Sequence, residues 1–311
     1  MKYGFVTFYT DKSIEFASEA GFDVVEVFAD VGTTLDLNVL TIDDIKKVTD
    51  KLDELKIKIS TLTCAPIHLE ADASKRSENN AYFIKALKNA KRFGTNTVVT
   101  NAFGDKAKSP YDNLASYKQV FTEFANVAEG EGVKIAIENC PHWVGVHPMP
   151  VGNIAFSPEM WEAIFDAVPS EAIGLEFDPS HLHWLGIDCV KALKDFGSRV
   201  YAFHAKDTEI LKDKLNKYGI MGMQIGKESE WDAGWWRYRI PGFGEIDWKG
   251  LYNVLYELEY DGPIVIEHED PVFGGDRAEN GLDFGNRTKM GLKLGLAYLK
   301  ECDILNKHNL K

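Results

Sequence analysis

Residues 134–138 read Lys-Ile-Ala-Ile-Glu, a short apolar run that ends in a carboxylate. Three later runs, at residues 173–178, 199–204 and 263–268, likewise carry a side chain that can bind metal at or near their ends. Runs of this length, rich in β-branched and aromatic residues, are typical of buried strands. Four similar runs precede them, at residues 2–8, 24–28, 57–63 and 97–101, so the sequence contains eight candidate strands.

Amphipathic stretches with helical spacing follow the candidate strands, at about residues 12–20, 42–55, 77–93, 113–131, 158–168, 189–196, 247–259 and 287–305. A strand followed by a helix, repeated along the whole chain, is typical of a closed (β/α)8 barrel and less so of an open doubly wound sheet. No candidate strand is followed by the G-x-G-x-x-G turn of a dinucleotide-binding sheet. The sequence therefore predicts an α/β fold, a single (β/α)8 TIM barrel domain over residues 1–311.

Composition and charge exclude several classes of function. The chain of 311 residues carries 35 Lys and Arg against 48 Asp and Glu, which gives a formal net charge of −13. So acidic a protein is a poor match for nucleic acid, because binding to phosphates needs a cationic surface. No run of about 18 apolar residues is present, so we expect no membrane span. The four cysteines are widely spaced, and we expect reduced thiols and a cytoplasmic location.

One connection, at about residues 208–246, is far longer than the two to six residues usual between a strand and the next helix. It is rich in aromatic side chains with arginines between them, namely Trp231, Trp235, Trp236, Arg237, Tyr238, Arg239 and Phe243. Long connections of this kind serve either as lids and substrate surfaces or as contacts with a partner chain. The sequence leaves both readings open.

The side chains at the ends of the four late strands are Glu138, Asp178, His204 and Glu267. The active site of a parallel barrel lies at the carboxyl ends of its strands, so we expect these four side chains to meet. Three carboxylates and one imidazole suit Mn²⁺, Mg²⁺ or Co²⁺, with Zn²⁺ also possible. Acidic residues can simply mark solvent-facing strand ends, but their recurrence on successive strands favours one divalent metal ion, with Mn²⁺ first.

Several motifs around these residues resemble those of the xylose isomerase-like TIM barrels. They are Ile137-Glu138-Asn139-Cys140-Pro141, Asp178-Pro179-Ser180-His181, His204-Ala205-Lys206-Asp207, Ile266-Glu267-His268-Glu269 and the P-G-x-G-x-x-D-W run at residues 241–248. This superfamily includes sugar isomerases and epimerases, inosose-processing enzymes and apurinic endonucleases. The resemblance covers essentially the whole chain, but it does not identify a substrate.

The resemblance implies that Glu138, Asp178, His204 and Glu267 bind one divalent metal. In the ketose epimerase branch, the two glutamate positions also transfer the proton next to the carbonyl, through an enediolate. Carried over, Glu138 and Glu267 are the expected catalytic pair of a sugar isomerase or epimerase. The endonuclease branch fits poorly, because its additional histidine ligands are replaced at residues 64–66, 101–103 and 236–238.

Further residues are candidates for substrate binding: His181, Lys206, Asp207, Trp236, Arg237 and Arg239. His181 matches a family position that contacts substrate or a neighbouring ligand. Lys206 and Asp207 follow His204 and could orient its imidazole or a substrate hydroxyl, although a solvated ion pair is an alternative. The two arginines could bind a phosphate or carboxylate. For His181 the alternative is a structural histidine on the loop, and the two arginines do not establish a phosphorylated substrate.

His142 departs from the family pattern, because many relatives have an apolar residue at this position. An imidazole four residues after Glu138 could act as an additional general base. Such a base also suits β-elimination from a 3-oxo-glycoside, the reaction of the C-glycoside deglycosidase catalytic subunits, which pair the barrel with a small β-sandwich subunit. The alternative is that His142 only closes the loop.

Three hypotheses follow for the activity. The first is a metal-dependent sugar isomerase or epimerase, the second is a metal-dependent carbon–carbon lyase within a heteromer, and the third is a non-catalytic barrel that binds metal. The resemblance and the aromatic connection predict a small-molecule sugar substrate and either a homo-oligomer or a heteromer with a small subunit. A further expectation concerns stability: Lys134 and Glu176 have the same inward parity on adjacent strands as Glu138 and Asp178, so we expect them to pair.

Overall fold

The fold is a closed barrel of eight parallel strands, as the sequence predicts. The structure, a computed structural model, describes residues 1–142, 152–220, 234–274 and 284–304. The barrel strands are β1 Lys2–Thr7, β2 Val24–Phe28, β3 Lys58–Thr63, β4 Thr97–Thr100, β5 Lys134–Glu138, β6 Ile173–Phe177, β7 Val200–Ala205 and β10 Pro263–Ile266. Their spatial order around the barrel is β1-β10-β7-β6-β5-β4-β3-β2.

Helices cover the outside of the barrel. They are α1 Asp11–Ala20, α2 Ile42–Glu54, α3 Ala73–Asn89, α4 Leu114–Glu131, α5 Pro158–Ala167, α6 Pro179–Trp184, α7 Cys189–Phe196, α8 Lys212–Tyr218, α9 Trp248–Glu257 and α10 Asn286–Cys302. Single 3-10 turns lie at Ala90–Phe93, Tyr111–Asn113 and Gly197–Arg199. None of the helices in these described ranges combines the length and apolar character needed to span a membrane.

Several helix starts show the expected chemistry. Thr41 caps α2 in a capping box with Asp44, and Ser157 caps α5 ahead of Pro158. Helix α3 begins earlier than its periodicity suggests because Asp72 accepts a hydrogen bond from the Lys75 N–H and caps it. The short helix α6, which the sequence did not predict, begins directly at the end of β6.

The long aromatic connection contains regular structure near its two ends. Strand β8, Asp207–Ile210, pairs antiparallel with β9, Trp236–Arg239, and helix α8 follows β8. This two-stranded ribbon extends from the end of β7. Trp231, which the sequence grouped with these aromatic residues, lies outside the described residues.

The expected pairing of Lys134 with Glu176 is wrong. Lys134 Nζ donates to the backbone oxygen of Glu171 at 2.5 Å and lies 4.9 Å from the centre of the Tyr201 ring. Glu176 faces the barrel interior and lies near the imidazole of His204 instead. A register shift between Leu175 and Glu176 in the pairing of β6 with β7 brings Glu176 opposite Ala202. Strand parity alone did not reveal this partner.

Replacing Lys134 with methionine should therefore have little effect on stability. The lysine makes one hydrogen bond at the surface, so the free energy of unfolding should change by about 1 kcal/mol or less. Urea unfolding of Lys134→Met beside the exposed control Lys46→Met measures this change. A loss of about 3 kcal/mol or more, as for a broken buried ion pair, would contradict the assignment.

Candidate active site

The four strand-end side chains come together at the carboxyl end of the barrel. Glu138 ends β5, Asp178 follows β6, His204 lies in β7 and Glu267 follows β10. The Nδ1 atom of His204 is 3.3 Å from Glu267 Oε2, 3.7 Å from Glu138 Oε1 and 3.9 Å from Asp178 Oδ2. The structure thus brings together all four residues predicted as metal ligands.

The donor atoms of this cluster fit a divalent ion. Asp178 Oδ2 and His204 Nδ1 are buried and make no hydrogen bond of good geometry within the part of the chain that the structure describes, although Lys206 Nζ lies 3.1 Å from Asp178 Oδ2. The ligand atoms of Glu138, Asp178, Glu267 and the neighbouring His181 lie within 4.8 Å of one another. A set rich in carboxylate oxygen, with imidazole nitrogen beside it, suits a cation such as Mn²⁺ or Zn²⁺.

Lys206 lies among these carboxylates. Its Nζ is 3.1 Å from Asp178 Oδ2 and 3.0 Å from Glu269 Oε2, and it also donates to Glu267 Oε2. Burial alone would lower the pKa of Lys206, but Asp178 and Glu267 hold it well above its ordinary value. Burial would raise the pKa of Glu267, yet Lys206 and His204 lower it below its ordinary range. Both groups are therefore charged at neutral pH.

His181, in the first turn of α6, faces the same cluster. Its Nε2 is 3.3 Å from Asp178 Oδ2 and 3.4 Å from Glu138 Oε1. Its Nδ1 lies 2.8 Å from the hydroxyl of Tyr238, which also accepts from Trp184 Nε1 at 3.3 Å. Burial would raise the pKa of Glu138, but His181 and His204 hold it well below its ordinary value. The sequence marks Tyr238 only as an aromatic residue, because its contact with His181 depends on the fold of the ribbon.

Asparagine side chains bind Glu138 and the backbone of Asp178. Asn101 Nδ2 donates to Glu138 Oε2 at 3.1 Å, and Asn153 Nδ2 donates to the backbone oxygen of Glu138 at 2.7 Å. Asn139 donates to the backbone oxygen of Asp178 and accepts from its N–H. Sequence reasoning missed these amides, although Asn139 stands next to Glu138 in one of the motifs.

A second pair of carboxylates lies on the other side of His204. Glu176 Oε1 is 3.3 Å and Glu26 Oε2 is 3.4 Å from His204 Nε2, and each glutamate is only 1% exposed. Glu26 Oε1 accepts from the Thr63 hydroxyl at 2.5 Å. Burial and the nearby Glu26 raise the pKa of Glu176 well above its ordinary value. The available signal for Glu26 was a charged residue in the middle of the apolar strand β2.

His142 lies beside Cys140 at the edge of the site. Its backbone has a φ of 47°, its ring contacts Phe103 at 4.8 Å between centres, and its buried Nε2 has no hydrogen-bond partner among the described residues. Burial alone would raise the pKa of the Cys140 thiol, but His142 and His181 lower it to about 7. Burial would lower the pKa of His142, whereas Cys140 and then Glu138 raise it.

The other predicted substrate-binding residues make contacts elsewhere. Asp207 accepts from Thr208 N, Gly242 N, Ile246 N and Trp248 Nε1, and so braces the turn that follows β9. Arg237 and Arg239 both bind Glu209, and Arg239 also binds Asp270. Trp236 is buried and stacks on Trp184, with 4.8 Å between ring centres. The structure therefore does not bring these four residues into the carboxylate cluster.

Comparison with known proteins agrees with the fold. Residues 14–288 match the family model described as xylose isomerase-like TIM barrel. The inosose dehydratase of Clostridium perfringens is 25% identical over 178 residues, which cover 55% of this chain and 54% of that protein. The chain thus spans about half the length of that curated relative. The inosose isomerase of Halalkalibacterium halodurans is 25% identical over 285 residues, 89% of each chain.

Solved structures share the fold at low sequence identity. The D-psicose 3-epimerase of Clostridium cellulolyticum H10 with D-tagatose superposes with a TM-score of 0.70 at 16% identity, covering 97% of this chain and 99% of that one. The IolI protein with a bound zinc atom gives 0.68 at 22% identity, with the same coverage of both chains. The 3-keto-D-glucoside 4-epimerase YcjR of E. coli gives 0.69 at 15%, covering 97% of this chain and 100% of that one.

The low pKa of Cys140 predicts selective alkylation. Cys140 is half-buried and titrates near pH 7, whereas burial raises the pKa of the thiols of Cys64, Cys189 and Cys302. Iodoacetamide should therefore modify Cys140 first, with a rate that rises through about pH 7 as the thiolate forms. Peptide mass spectrometry over a pH series measures this rate.

His142→Ala should move the pH at which Cys140 alkylation is half-maximal upward, because the variant lacks the imidazole that stabilises the Cys140 thiolate. Cys140→Ser serves as the control and should leave the chain unmodified at neutral pH. Equal labelling of Cys64 at that pH would contradict the assignment.

Proposed function

Because the chain belongs to the xylose isomerase-like TIM barrel family, we propose that it is a divalent-metal-dependent sugar isomerase or epimerase. The reaction is proton transfer at a carbon next to a carbonyl. The observation that carries this proposal is the cluster at His204 Nδ1, which has Glu138, Asp178 and Glu267 within 3.9 Å. The inosose and sugar enzymes among the relatives support the substrate class.

Glu138, Asp178, His204 and Glu267 are the residues that would hold the metal ion. When bound, a divalent ion supplies Lewis-acid stabilisation of the negative charge that develops on a substrate oxygen. Mn²⁺ is our first choice because three of the four ligands are carboxylates, and Mg²⁺, Co²⁺ and Zn²⁺ are the alternatives. The zinc atom in the IolI structure supports a divalent ion without fixing its identity.

Glu267 and Glu138 would exchange protons with the sugar. Lys206 and His204 keep Glu267 ionised, and His181 and His204 keep Glu138 ionised. Each carboxylate can therefore accept a proton from a substrate carbon. Lys206 Nζ donates to Glu267 and lies 4.5 Å from the centre of the Tyr238 ring, which fixes the ammonium group beside the proton-transfer carboxylate. His181 Nε2 and Lys206 Nζ are the N–H groups that would orient substrate hydroxyls.

The lyase hypothesis remains as a second candidate because of His142. Its buried Nε2 is an unused base next to Cys140, and Glu138 lies close enough to raise its pKa. A base here would suit removal of a proton next to the carbonyl of a 3-oxo-glycoside with loss of an aglycone. In that case a small partner subunit is expected, whereas an epimerase is expected to form homo-oligomers. A metal-binding barrel without activity is the third candidate.

Metal analysis combined with hydrogen exchange tests the reaction class. The purified protein should bind one equivalent of divalent metal and should introduce deuterium from D₂O next to the carbonyl of a ketose, an inosose or a 3-oxo-glycoside. A chelator should abolish this exchange, and NMR of the substrate measures it. Loss of an aglycone would instead support the lyase. If the protein bound no metal even with Mn²⁺ added, both enzyme hypotheses would fail.

Neutralising either proposed proton-transfer carboxylate should suppress exchange. Glu267→Gln and Glu138→Gln should each lower the rate by about 10²–10⁴-fold at saturating metal, since general acid–base catalysis contributes that much. Glu257→Gln, which changes a surface glutamate paired with Lys194, is the matched control and should retain the full rate. Full exchange by Glu267→Gln would remove that residue from the mechanism.

The variant His142→Ala separates the two reactions. It should spare an epimerisation carried out by Glu138 and Glu267, and it should abolish an elimination that needs an imidazole base. Turnover of a ketose and of a 3-oxo-glycoside, measured side by side at saturating metal, gives the comparison. Loss of ketose epimerisation in this variant would contradict the two-carboxylate mechanism.

A further inference from the structure

Two buried glutamates face the opposite nitrogen of the His204 ring from the proposed metal ligands. Glu26 comes from β2 and Glu176 from β6, so they reach the barrel axis from different sides. Both are 1% exposed, and both lie within 3.4 Å of the Nε2 atom of His204. Two buried carboxylates carry a large desolvation cost, so their position behind a single imidazole calls for a function.

We propose that Glu26 and Glu176 are positioning residues that hold His204 through its Nε2–H and thereby turn the Nδ1 lone pair toward the metal. This inference rests on the proposed function, because it concerns how the barrel presents one of the four ligands. It adds two residues, one of them on a strand that supplies none of the proposed ligands.

The supply of hydrogen-bond donors explains why the imidazole proton belongs on Nε2. On the Nδ1 side, Lys206 donates to Glu267 and its ammonium lies 3.1 Å from Asp178 Oδ2, and Asn101 donates to Glu138. On the Nε2 side, the side-chain oxygens of Glu176 have no hydrogen-bond partner of good geometry among the described residues. A buried acceptor without a donor is costly, so the proton of His204 contributes most where Glu176 lies.

A hydrogen bond orients Glu26, and strand register places Glu176. Thr63, on the neighbouring strand β3, donates its hydroxyl to Glu26 Oε1 at 2.5 Å, which leaves Oε2 facing His204. The register shift beside Leu175 brings Glu176 opposite Ala202, two residues before His204 on β7. The imidazole is therefore held from two directions, and its ring plane cannot rotate freely.

Metal-binding histidines commonly donate their second ring N–H to a carboxylate, and loss of that partner costs about 10- to 100-fold in metal affinity. Glu26→Gln and Glu176→Gln should each weaken Mn²⁺ binding within this range, as isothermal titration would measure. Glu26→Asp, which keeps an acceptor, should recover part of the loss. The control for stability is Thr100→Val on β4, which removes a buried hydroxyl that is hydrogen-bonded to His68. This variant should bind Mn²⁺ normally.

A readout independent of activity follows the imidazole directly. In ¹⁵N-histidine protein loaded with Zn²⁺, His204 should show a slowly exchanging Nε2–H, assigned by its loss in His204→Gln. In the Glu26→Gln, Glu176→Gln double variant this proton should exchange faster and its resonance should move upfield, since the carboxylate acceptors are gone.

The outcomes separate this inference from the proposed function. If the wild-type protein binds one metal and catalyses exchange, but the variants keep both the affinity and the Nε2–H signal, the positioning role is wrong and the function stands. A second equivalent of metal, lost in Glu26→Gln and Glu176→Gln, would make the two glutamates ligands and overturn the inference. If the wild-type protein binds metal and shows the Nε2–H signal but no substrate exchanges, the function fails and the positioning role stands.

Discussion

The imidazole of His204 is the point on which the barrel mouth depends. It lies between two layers of buried carboxylates, at distances between 3.3 and 3.9 Å from Glu26, Glu138, Glu176, Asp178 and Glu267. So many carboxylates in a low-dielectric interior repel one another strongly unless cations and hydrogen-bond donors separate them. The side chains around His204 supply that separation, and the proposed metal would complete it.

The hydrogen-bond donors around these carboxylates come from several parts of the chain. Lys206, which lies directly after β7 and two residues after His204, contacts three of the surrounding acidic side chains. Asn101 and Asn139 come from the ends of β4 and β5 and orient the acidic groups through their amides. A barrel suits this arrangement because parallel strands deliver side chains from many distant parts of the chain to one end.

The sequence predicted the closed barrel and the convergence of four strand-end residues, because repeated βα units and strand parity are local patterns. It did not predict Glu26 as part of the site, since its partner His204 is far along the chain and nothing local marks the contact. The pairing of Lys134 with Glu176 failed because the register of β5 and β6 places Glu138 opposite Glu176, so Lys134 lies four residues away toward the start of β5. Asp207 lies next to Lys206 in the chain, yet its carboxylate turns to the backbone of the following turn. The position of Asp207 next to Lys206 in the sequence therefore did not indicate which way its side chain points.

The ribbon of β8 and β9 limits where the chain can change in length during evolution. Strand β8 begins with Asp207, which is tied to the turn after β9, and Tyr238 in β9 contacts His181. An insertion between His204 and Asp207, or within the paired part of β9, would move both attachments relative to the carboxylates. An insertion beyond the paired residues, between 211 and 235, would leave them in register. Changes of length in that part of the sequence are therefore compatible with an unchanged chemistry at the barrel mouth.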